Sequence, residues 1–355
     1  ATLSLASSSS VVEFAAGTSS IGNLSGASGS ITGTDSASSL VVTQSTDADF
    51  SGTLTGSLAF EKSGPATLEL SGNNLHTGET LVSAGTLSGT GSSGSALTVA
   101  DGAILDVGTG LFMASGATFQ GGSTFSVTLD TDLLTSGKLS SSSAVVLASN
   151  VALQLDQSGS GLAPVGTKFV IADYTGGSLS GEFDGLADGA SVNLGANLCV
   201  LSYSDNSRIT LTAVAPPTPY ENWADANGLD GSNGKDPSFS ADPDHDGNAN
   251  GLEWVLGGDP LASEGASLVQ SHTNPAGELV LHFKRDEDSI GQVSVVVETN
   301  NDLTNPWHPF ATIAAEGGGP VAIDTVPDPD AVTVTIPASQ AVNGRLFARI
   351  RVIEP

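Results

Sequence analysis

Short runs in which apolar residues alternate with polar ones recur along most of the chain. An alternation with a period of two is typical of a strand that buries one face. In the first 214 residues these runs are brief and are separated by Gly and Ser. Longer runs occur towards the other end of the chain, namely ELVLHF (278–283), VSVVVE (293–298), AVTVTI (331–336) and LFARIRV (346–352). The pattern therefore predicts a mainly β protein.

Within the first 214 residues one alternating pattern repeats around a small residue. It occurs in LTVADGAIL (97–105), LFMASGATF (111–119) and VVLASNVAL (145–153), and a shorter version is LVSAGTL (81–87). Because Gly and Asn tolerate a positive φ, we expect equivalent left-handed corners at Gly85, Gly102, Gly116 and Asn150. Such strand and corner units cannot bury an apolar face alone, so they predict a β-solenoid. The alternative is a sandwich or barrel, which favours larger aromatic core residues.

Changes in composition predict the domain organisation. After Val214 the chain reads APPTPYENW, whose three Pro residues favour an extended connector. We predict a β-solenoid over residues 1–214, a Pro-containing linker with a calcium-binding loop over 215–266, and an antiparallel β-sandwich over 267–355.

The last strand shows the pattern expected of such a sandwich. Leu346, Ala348, Ile350 and Val352 share one face, and the residues between them share the other. The segment resembles immunoglobulin and fibronectin domains in length and layout.

The charge of the chain restricts its partners. There are 38 acidic and 10 basic residues, which gives a formal net charge of -28 at pH 7. An acidic surface of this kind repels nucleic acids and anionic membranes, so neither is an expected partner. We interpret the one cysteine, Cys199 in LCVLSY, as a small buried hydrophobe. No run is long and apolar enough to predict a membrane span.

Residues 61–87, EKSGPATLELSGNNLHTGETLVSAGTL, resemble the autotransporter-associated β-strand repeat of bacterial surface proteins. Residues that match the pattern of that repeat include Lys62, Gly64, Leu68, Asn74 and Gly85, whereas His76 replaces the usual Tyr. Residues 168–214 are similar to the closing coils of such passenger regions. The resemblance implies a right-handed β-helix and an exported protein of the extracellular space or cell surface. The first residue, Ala1, fits a chain without its export signal.

Residues 242–253, DPDHDGNANGLE, fit the calcium-loop template D-x-[DN]-x-[DN]-G-x5-E. The sharp turn would be at Gly247, and hard oxygen ligands at this spacing suit Ca²⁺ rather than zinc. The predicted ligands are Asp242, Asp244 and Asp246, the backbone carbonyl of Asn248, Asn250 through water, and the bidentate carboxylate of Glu253.

The residues around this loop predict a structural ion. GLEWVLGG (251–258) predicts a short helix ending at Gly257, and PYENWADANGL (219–229) predicts a partner helix farther away than in an EF-hand. The loop is similar to those of dockerin and thrombospondin type 3 modules, which implies an ion that stiffens the joint between domains. The alternative is a solvated acidic linker that binds no metal.

The sequence predicts no enzyme. Basic residues are scattered in the first 214 residues, and neither a pair of catalytic carboxylates nor a nucleophile motif is evident. We interpret His76 as a surface stacking residue, and His272, His282 and His308 have no metal-like spacing. The expected function is structural, as a self-assembling filament or surface-layer component that forms a homopolymer head to tail or by strand exchange. The alternatives are a glycan-binding adhesin, suggested by Trp307 and Phe310, and a polysaccharide lyase or hydrolase.

Overall fold

The computed structural model describes residues 1–263, 268–304, 306–326 and 328–354. The chain divides into two compact units, Ala1–Pro216 and Pro217–Pro355, which we call the solenoid unit and the second unit. The predicted boundary between residues 266 and 267 lies outside the described residues.

The solenoid unit is built from short strands. In chain order they are β1 Leu3–Ser4, β2 Val11–Phe14, β3 Gly17–Ile21, β4 Leu24–Ser25, β5 Ser30–Gly33, β6 Ser38–Thr43, β7 Ala48–Phe50, β8 Thr53–Gly56, β9 Ala59–Ser63, β10 Thr67–Leu70, β11 Asn73–Asn74, β12 Thr80–Val82, β13 Thr86–Ser88, β14 Ser92–Ser93, β15 Ala96–Val99, β16 Ile104–Asp106, β17 Leu111–Ala114, β18 Gly116–Phe119, β19 Thr124–Asp130, β20 Thr135–Ser136, β21 Lys138–Ser141, β22 Val145–Leu147, β23 Ala152–Ser158, β24 Lys168–Asp173, β25 Leu179–Ser180, β26 Ser191–Leu194, β27 Asn197–Ser202 and β28 Arg208–Val214.

These strands stack as a β-solenoid, as predicted. One eight-stranded sheet has the order β25-β22-β18-β15-β12-β9-β6-β3, so that neighbours in the sheet are three strands apart in the chain, except β18 and β22, which are four apart. Its pairs are parallel, with Phe60 beside Thr80 and Leu97 beside Ala117. Because each strand pairs with the strands of the coils before and after it, the apolar interior is closed by neighbouring coils.

Alternate residues of the strands point into one continuous core. In β6 and β12, for example, buried residues alternate with partly exposed ones. Leu40, Phe60, Leu97 and Phe119, from successive parts of one sheet, are at most 1% exposed. The pattern of period two therefore corresponds to inward and outward faces of each coil.

Left-handed residues mark one corner of successive coils. Gly85, Gly102 and Asn150 have φ of 66°, 72° and 64°, which confirms three of the predicted corners. The prediction for Gly116 is wrong, because Gly116 begins β18. The left-handed residue between β18 and β19 is Gly122, whose φ is 85°.

Polar side chains inside the solenoid satisfy backbone groups of the coils. Lys62 is 0% exposed, and its Nζ donates to the carbonyl oxygens of Gly64 and Ala84 at 2.8 and 2.7 Å. Burial lowers the pKa of Lys62 to about 8. The buried amide of Asn74 accepts a hydrogen bond from the backbone N–H of Leu54, twenty residues earlier, at 2.9 Å. Such pairing is required of buried polar groups.

Strand pairing changes from parallel to antiparallel in the last part of the solenoid unit. Strand β24 pairs in parallel with β21, but β28, β27 and β26 add to it in an antiparallel arrangement. Strands β24 and β25 therefore continue the parallel coils, and residues 191–214 close the sheet with antiparallel strands. Cys199 on β27 is 0% exposed, as expected of a buried hydrophobe, and burial raises the pKa of its thiol.

The second unit combines two short helices with antiparallel sheets. Its elements are α1 Pro219–Ala226, α2 Asn250–Leu256, β29 Val269–Thr273, β30 Leu279–Arg285, β31 Ser294–Asn300, β32 His308–Ile313, β33 Val321–Asp324, β34 Asp330–Ile336 and β35 Phe347–Ile353, with 3₁₀ turns at Glu287–Ser289 and Ala338–Gln340. The sheets have the orders β29-β30-β34-β33 and β32-β31-β35. The four long alternating runs are strands, as predicted.

Both sheets of the second unit contribute to one core. Phe283 and Val334 come from the first sheet, and Val297 comes from the second. Leu346, Ala348, Ile350 and Val352 pack against this core, which confirms the predicted inward face of β35. Neither helix in the described part of the chain is long and apolar enough to cross a membrane. The specific likeness to immunoglobulin and fibronectin domains stays a prediction.

An ion pair is buried in the core of the second unit. Arg285 on β30 and Asp330 on β34 are 2% and 1% exposed, and they face each other across the register of the two strands. The Nε and Nη2 atoms of Arg285 both donate to Oδ2 of Asp330. Its remaining donors reach the carbonyl oxygens of Ala314 and Ala315. The charge of the guanidinium is therefore compensated by Asp330 among the described residues.

Candidate calcium centre

The twelve residues of the calcium template form a compact loop that leads into α2. Asp242, Asp244 and Asp246 lie together, and one carboxylate oxygen from each is within 4.8 Å of the others. The structure thus brings together the three acidic residues that the template places at positions 1, 3 and 5.

Hydrogen bonds inside the loop hold these carboxylates in place. The backbone N–H of Asp246 donates to Asp244 Oδ1 at 3.1 Å, and that of Gly247 donates to Asp242 Oδ2 at 3.1 Å. The φ of Gly247 is 96°, as the predicted sharp turn requires, and the neighbouring His245 is exposed with φ of 63°. The conformation of the backbone therefore brings the carboxylates of Asp242 and Asp244 close together.

Asn248 and Asn250 have different environments. The amide of Asn248 donates to Asp246 Oδ2 at 3.1 Å, so its side chain supports a carboxylate. Asn250 is 0% exposed, and its Nδ2 donates to the carbonyl oxygens of Asp236 and Ser238 at 2.8 and 2.9 Å. The hydrogen bonds of Asn250 therefore hold residues 236–238, which lead into the loop, in position.

Backbone contacts close the base of the loop. The N–H groups of Asn250 and Gly251 donate to the carbonyl oxygens of Ala241 and Phe239, both at 2.8 Å. The ring of Phe239 lies so close to Gly251 that a Cβ there would overlap it. Phe239 lies outside the template. In the sequence, only the presence of Gly at position 251 could have indicated that another residue packs closely there.

Three oxygen atoms around the loop are buried without a hydrogen-bond partner. They are Asp242 Oδ1, Asp244 Oδ2 and Asn250 Oδ1. Burial raises the pKa of Asp244, and the charges of Asp246 and Asp242 act in the same direction. Closely spaced carboxylates with unsatisfied oxygen atoms fit a hard cation that takes oxygen ligands. The composition of the loop is thus suited to Ca²⁺.

Helix α2 connects the loop to the core of the second unit. Glu253 in its first turn is 0% exposed, and the next three residues, Trp254, Val255 and Leu256, belong to the core that both sheets share. The helix ends at Gly257, whose φ of 75° is typical of a left-handed C-cap, as predicted. Any movement of the loop would therefore affect residues of this core.

Helix α1 packs beside α2, as the sequence predicted for a partner helix. It begins with a capping box, in which Thr218 and Glu221 bond each other's backbone N–H groups. Tyr220 of α1 contacts Trp254 of α2 and Phe239 of the entering segment, with ring centroids 5.4 and 5.0 Å apart. These aromatic residues join the two helices and the entry of the loop.

The aromatic residues proposed for glycan binding have other contacts. Phe310 packs against the core of the second unit, and the guanidinium of Arg349 lies 4.5 Å from the centre of the Trp307 ring. His272 and His282 stack at 5.3 Å, and His282 Nδ1 is 2.9 Å from the hydroxyl of Thr333. Phe310 therefore contributes to packing, and a guanidinium covers one face of the half-buried Trp307 ring.

The interpretation of His76 as a surface residue is wrong. Its side chain is 1% exposed inside the solenoid, where Nε2 lies 2.8 Å from the Thr80 hydroxyl and 3.3 Å from that of Ser95. Thr80 and Ser95 are 1% and 3% exposed. An imidazole beside hydroxyl groups resembles a nucleophile and base pair, but these hydroxyls are shielded from substrate. The cluster is therefore a packed polar group of the core.

Acidification is expected to destabilise the solenoid unit through His76. Burial lowers the pKa of His76 to about 4, from 6.5 in an exposed site. Between these values the unfolded chain binds more protons, so the free energy of unfolding falls as the pH falls. Thermal unfolding followed by far-ultraviolet circular dichroism from pH 7 to 4.5 measures this loss. The variant His76→Gln should show a weaker pH dependence, and equal slopes for both proteins would contradict the assignment.

Comparison with known protein families supports the interpretation of the solenoid as passenger-like. Residues 60–88 match the sequence profile of the passenger-associated-transport-repeat. The matched segment runs from β9 to β13 and covers the resemblance found in the sequence. No curated protein matches the chain. The repeat and the stacked coils together make the first unit an autotransporter-passenger-like β-helix.

Proposed function

We propose that the protein is an exported structural component of a bacterial cell surface, which assembles with itself into a filament or surface layer. The observation that carries this proposal is the solenoid, because stacked parallel sheets are the fold of a passenger region and residues 60–88 within them match the passenger repeat. Passenger regions of this kind are displayed by exported surface proteins. The proposal assigns no catalytic chemistry to the protein.

The stacking of coils supports the proposed self-assembly. In a solenoid each strand bonds the strands before and after it, so the same backbone pairing can continue between chains. A homopolymer formed head to tail or by exchange of a strand would use this property. Nucleic acid is not a proposed partner, because the net charge of -28 opposes it.

Electron micrographs and sedimentation velocity of the purified protein test self-assembly. We expect filaments or sheets in micrographs, and a sedimentation coefficient that rises with protein concentration in the presence of calcium. Monomeric particles at every concentration, with and without calcium, would exclude the filament and the surface layer.

We propose further that the loop binds one Ca²⁺ ion with a structural role. Asp242, Asp244, Asp246, the backbone carbonyl of Asn248, Asn250 and Glu253 would hold it. The ion would neutralise the crowded carboxylates. Since Trp254 and its neighbours lie in the core of the second unit, a fixed loop would stabilise α2 and that core.

Calcium should raise the stability of the second unit. A ligand that binds only the folded state at a free concentration 100 times its dissociation constant contributes about 2.7 kcal/mol. Trp223, Trp254 and Trp307 all lie in the second unit, so tryptophan fluorescence reports its unfolding alone. We expect the midpoint of urea unfolding to increase with CaCl₂ and to return on addition of chelator.

The variant Asp244→Asn/Asp246→Asn should lose this response. Asp225→Asn is the matched control, because Asp225 is an exposed carboxylate of α1 outside the loop. Isothermal titration calorimetry with Ca²⁺ gives a second measurement of binding. An equal calcium response in both variants would mean that the ion binds elsewhere or nonspecifically.

The alternative function is a glycan-binding adhesin. It has less support than self-assembly, because Phe310 packs against the core and Arg349 stacks on Trp307. A glycan array distinguishes the two functions, since specific hits by a protein that stays monomeric would favour the adhesin.

A further inference from the structure

The last strand of the second unit carries a concentration of positive charge. Arg345, Arg349 and Arg351 are three of the ten basic residues of the chain, and they lie within its last eleven residues. Arg349 and Arg351 share the outer face of β35, whose exposed apolar residues are Phe347 and Ile353, 36% and 37% exposed. We call Arg345, Arg349 and Arg351 the basic strip.

The basic strip carries more positive charge than the neighbouring carboxylates can neutralise. Glu298 on β31 faces it, at 2.7 Å from Arg349 Nη2 and 3.6 Å from Arg351 Nη1. The side chain of Glu298 is 5% exposed, whereas those of Arg349 and Arg351 are 46% and 55% exposed. Two guanidinium groups therefore share one buried carboxylate. Glu354, which is exposed, is the other acidic residue at this end of the strand.

The two arginines of the strand are held in position. Arg349 is fixed between Glu298 and the ring of Trp307, at 4.5 Å from its centre. Arg351 lies two residues farther along the same face of β35. Side chains at this spacing on a strand are about 7 Å apart, so the strip offers two guanidinium forks to one partner.

The outer surface of the solenoid has the opposite charge. Residues 1–214 contain seventeen acidic and four basic residues, and one of the basic residues, Lys62, is buried. Asp49 on β7 and Glu69 on β10 are both exposed and are direct neighbours in the register of the sheet. Asp47, which is also exposed, precedes β7. We call Asp47, Asp49 and Glu69 the acidic ladder.

The acidic ladder favours a cationic partner. Like charges that face each other on neighbouring strands destabilise a sheet. Asp49 and Glu69 are separated by the distance between neighbouring strands, about 4.8 Å. A guanidinium group binds carboxylates through paired hydrogen bonds. An arginine partner would therefore neutralise both carboxylates at once.

We propose that the basic strip of one copy binds the acidic ladder of the solenoid of a second copy. This inference rests on the proposed self-assembly and adds a contact between charged side chains to the backbone pairing proposed above. The two surfaces differ, so the contact is heterologous, and repetition of such a contact produces open chains unless the rotation between copies closes a ring. Because both surfaces are exposed and charged, salt should weaken the contact.

Two charge-reversal variants and their mixture test the proposal. The strip variant is Arg345→Glu/Arg351→Glu, which retains Arg349, the closer partner of Glu298. The ladder variant is Asp49→Lys/Glu69→Lys. Lys284→Glu is the control, since Lys284 is an exposed base on the other sheet of the second unit. Circular dichroism and tryptophan fluorescence establish that each variant is folded, and sedimentation velocity measures assembly.

We expect each charge-reversal variant alone to assemble at least ten times more weakly than the unmodified protein and the control. An equimolar mixture should recover assembly, because the acidic strip of one variant then faces the basic ladder of the other. About 1 M NaCl, where the screening length is about 3 Å, should dissociate the unmodified protein. The mixture is the decisive measurement, because misfolding of either variant cannot produce recovery.

Other outcomes overturn the proposal in distinguishable ways. If the unmodified protein assembles and the folded strip variant assembles equally well, these surfaces are not the contact, although self-assembly stands. A mixture that stays dissociated while the unmodified protein assembles also excludes them. A protein that is monomeric under every condition excludes both this contact and the proposed function, and binding of an acidic polysaccharide by such a monomer would reassign the strip to glycan.

Discussion

Replacement of Asp330 by Ala is expected to destabilise the second unit by about 3–5 kcal/mol, because it leaves a buried guanidinium without its counter-charge. Arg285 is 2% exposed and donates two hydrogen bonds to Asp330 Oδ2. The bonds to Ala314 and Ala315 would remain, but backbone carbonyl groups carry no net charge to balance it. Urea unfolding followed by tryptophan fluorescence measures the loss in the second unit alone.

The control for Asp330 is an ion pair at the surface. Lys168 and Asp205 lie 2.7 Å apart, but their side chains are 56% and 24% exposed. Exposed pairs contribute little to stability because solvent screens them, so Asp205→Ala should change the unfolding of the solenoid unit far less than Asp330→Ala changes that of the second unit. If Asp330→Ala had an equally small effect, water would have to reach Arg285, and the pair would not be buried in solution.

The sequence could not indicate this buried pair. Arg285 and Asp330 are separated by 45 residues, and each lies at the end of an alternating run where a surface charge is the usual expectation. Their contact depends on the antiparallel register of β30 and β34, which places them opposite each other. Local periodicity predicted both strands, but it does not specify which strands become neighbours.

The corners of the solenoid show the same division between local and long-range information. Gly85, Gly102 and Asn150 were predictable because the left-handed conformation is a local requirement of the backbone. Gly116 was assigned to the same position because its surrounding pattern is similar. Strand β17, before Gly116, belongs to a different sheet from β15 and β22, so the similar pattern describes a different corner of the coil.

Polar residues in the solenoid core were the hardest to place. Lys is almost never fully buried without a partner, and His is buried less often than apolar residues, so residue type alone indicated surface positions for Lys62 and His76. The hydroxyl of Ser95 that contacts His76 and the carbonyl of Ala84 that contacts Lys62 come from the next coil. Ala84 lies 22 residues after Lys62, and Ser95 lies 19 residues after His76, so these partners become neighbours only when the coils stack.

The calcium loop was predictable in detail because its donors lie within twelve residues. The positions of Asp242, Asp244 and Asp246 relative to Gly247 follow from one local turn. The support of this loop was not predictable, since Asn250 bonds residues 236 and 238 and Phe239 packs on Gly251. Binding of calcium by the predicted ligands stays a prediction.

Gly85→Ala should strongly destabilise the solenoid unit. Gly85 has φ of 66°, which costs about 1–2 kcal/mol for a residue with a side chain. A Cβ at this position would also overlap the carbonyl oxygen of Gly64 and the Nζ atom of Lys62. Overpacking of a closed core adds about 1–3 kcal/mol, so we expect a total loss of about 2–5 kcal/mol in the free energy of unfolding. Urea unfolding followed by far-ultraviolet circular dichroism measures it.

Gly102→Ala separates the two contributions to this loss. Gly102 has nearly the same φ, 72°, but no atom lies within 4 Å of a Cβ built there. Gly102→Ala should therefore lower the free energy of unfolding only by the cost of the left-handed backbone conformation, about 1–2 kcal/mol. Because the two residues occupy equivalent corners of neighbouring coils, the difference between the variants isolates the close approach of Gly64 and Lys62. Equal losses would mean that the coils can separate enough at Gly85 to admit a methyl group, and that the tight stacking of the corners adds nothing to the stability of the solenoid.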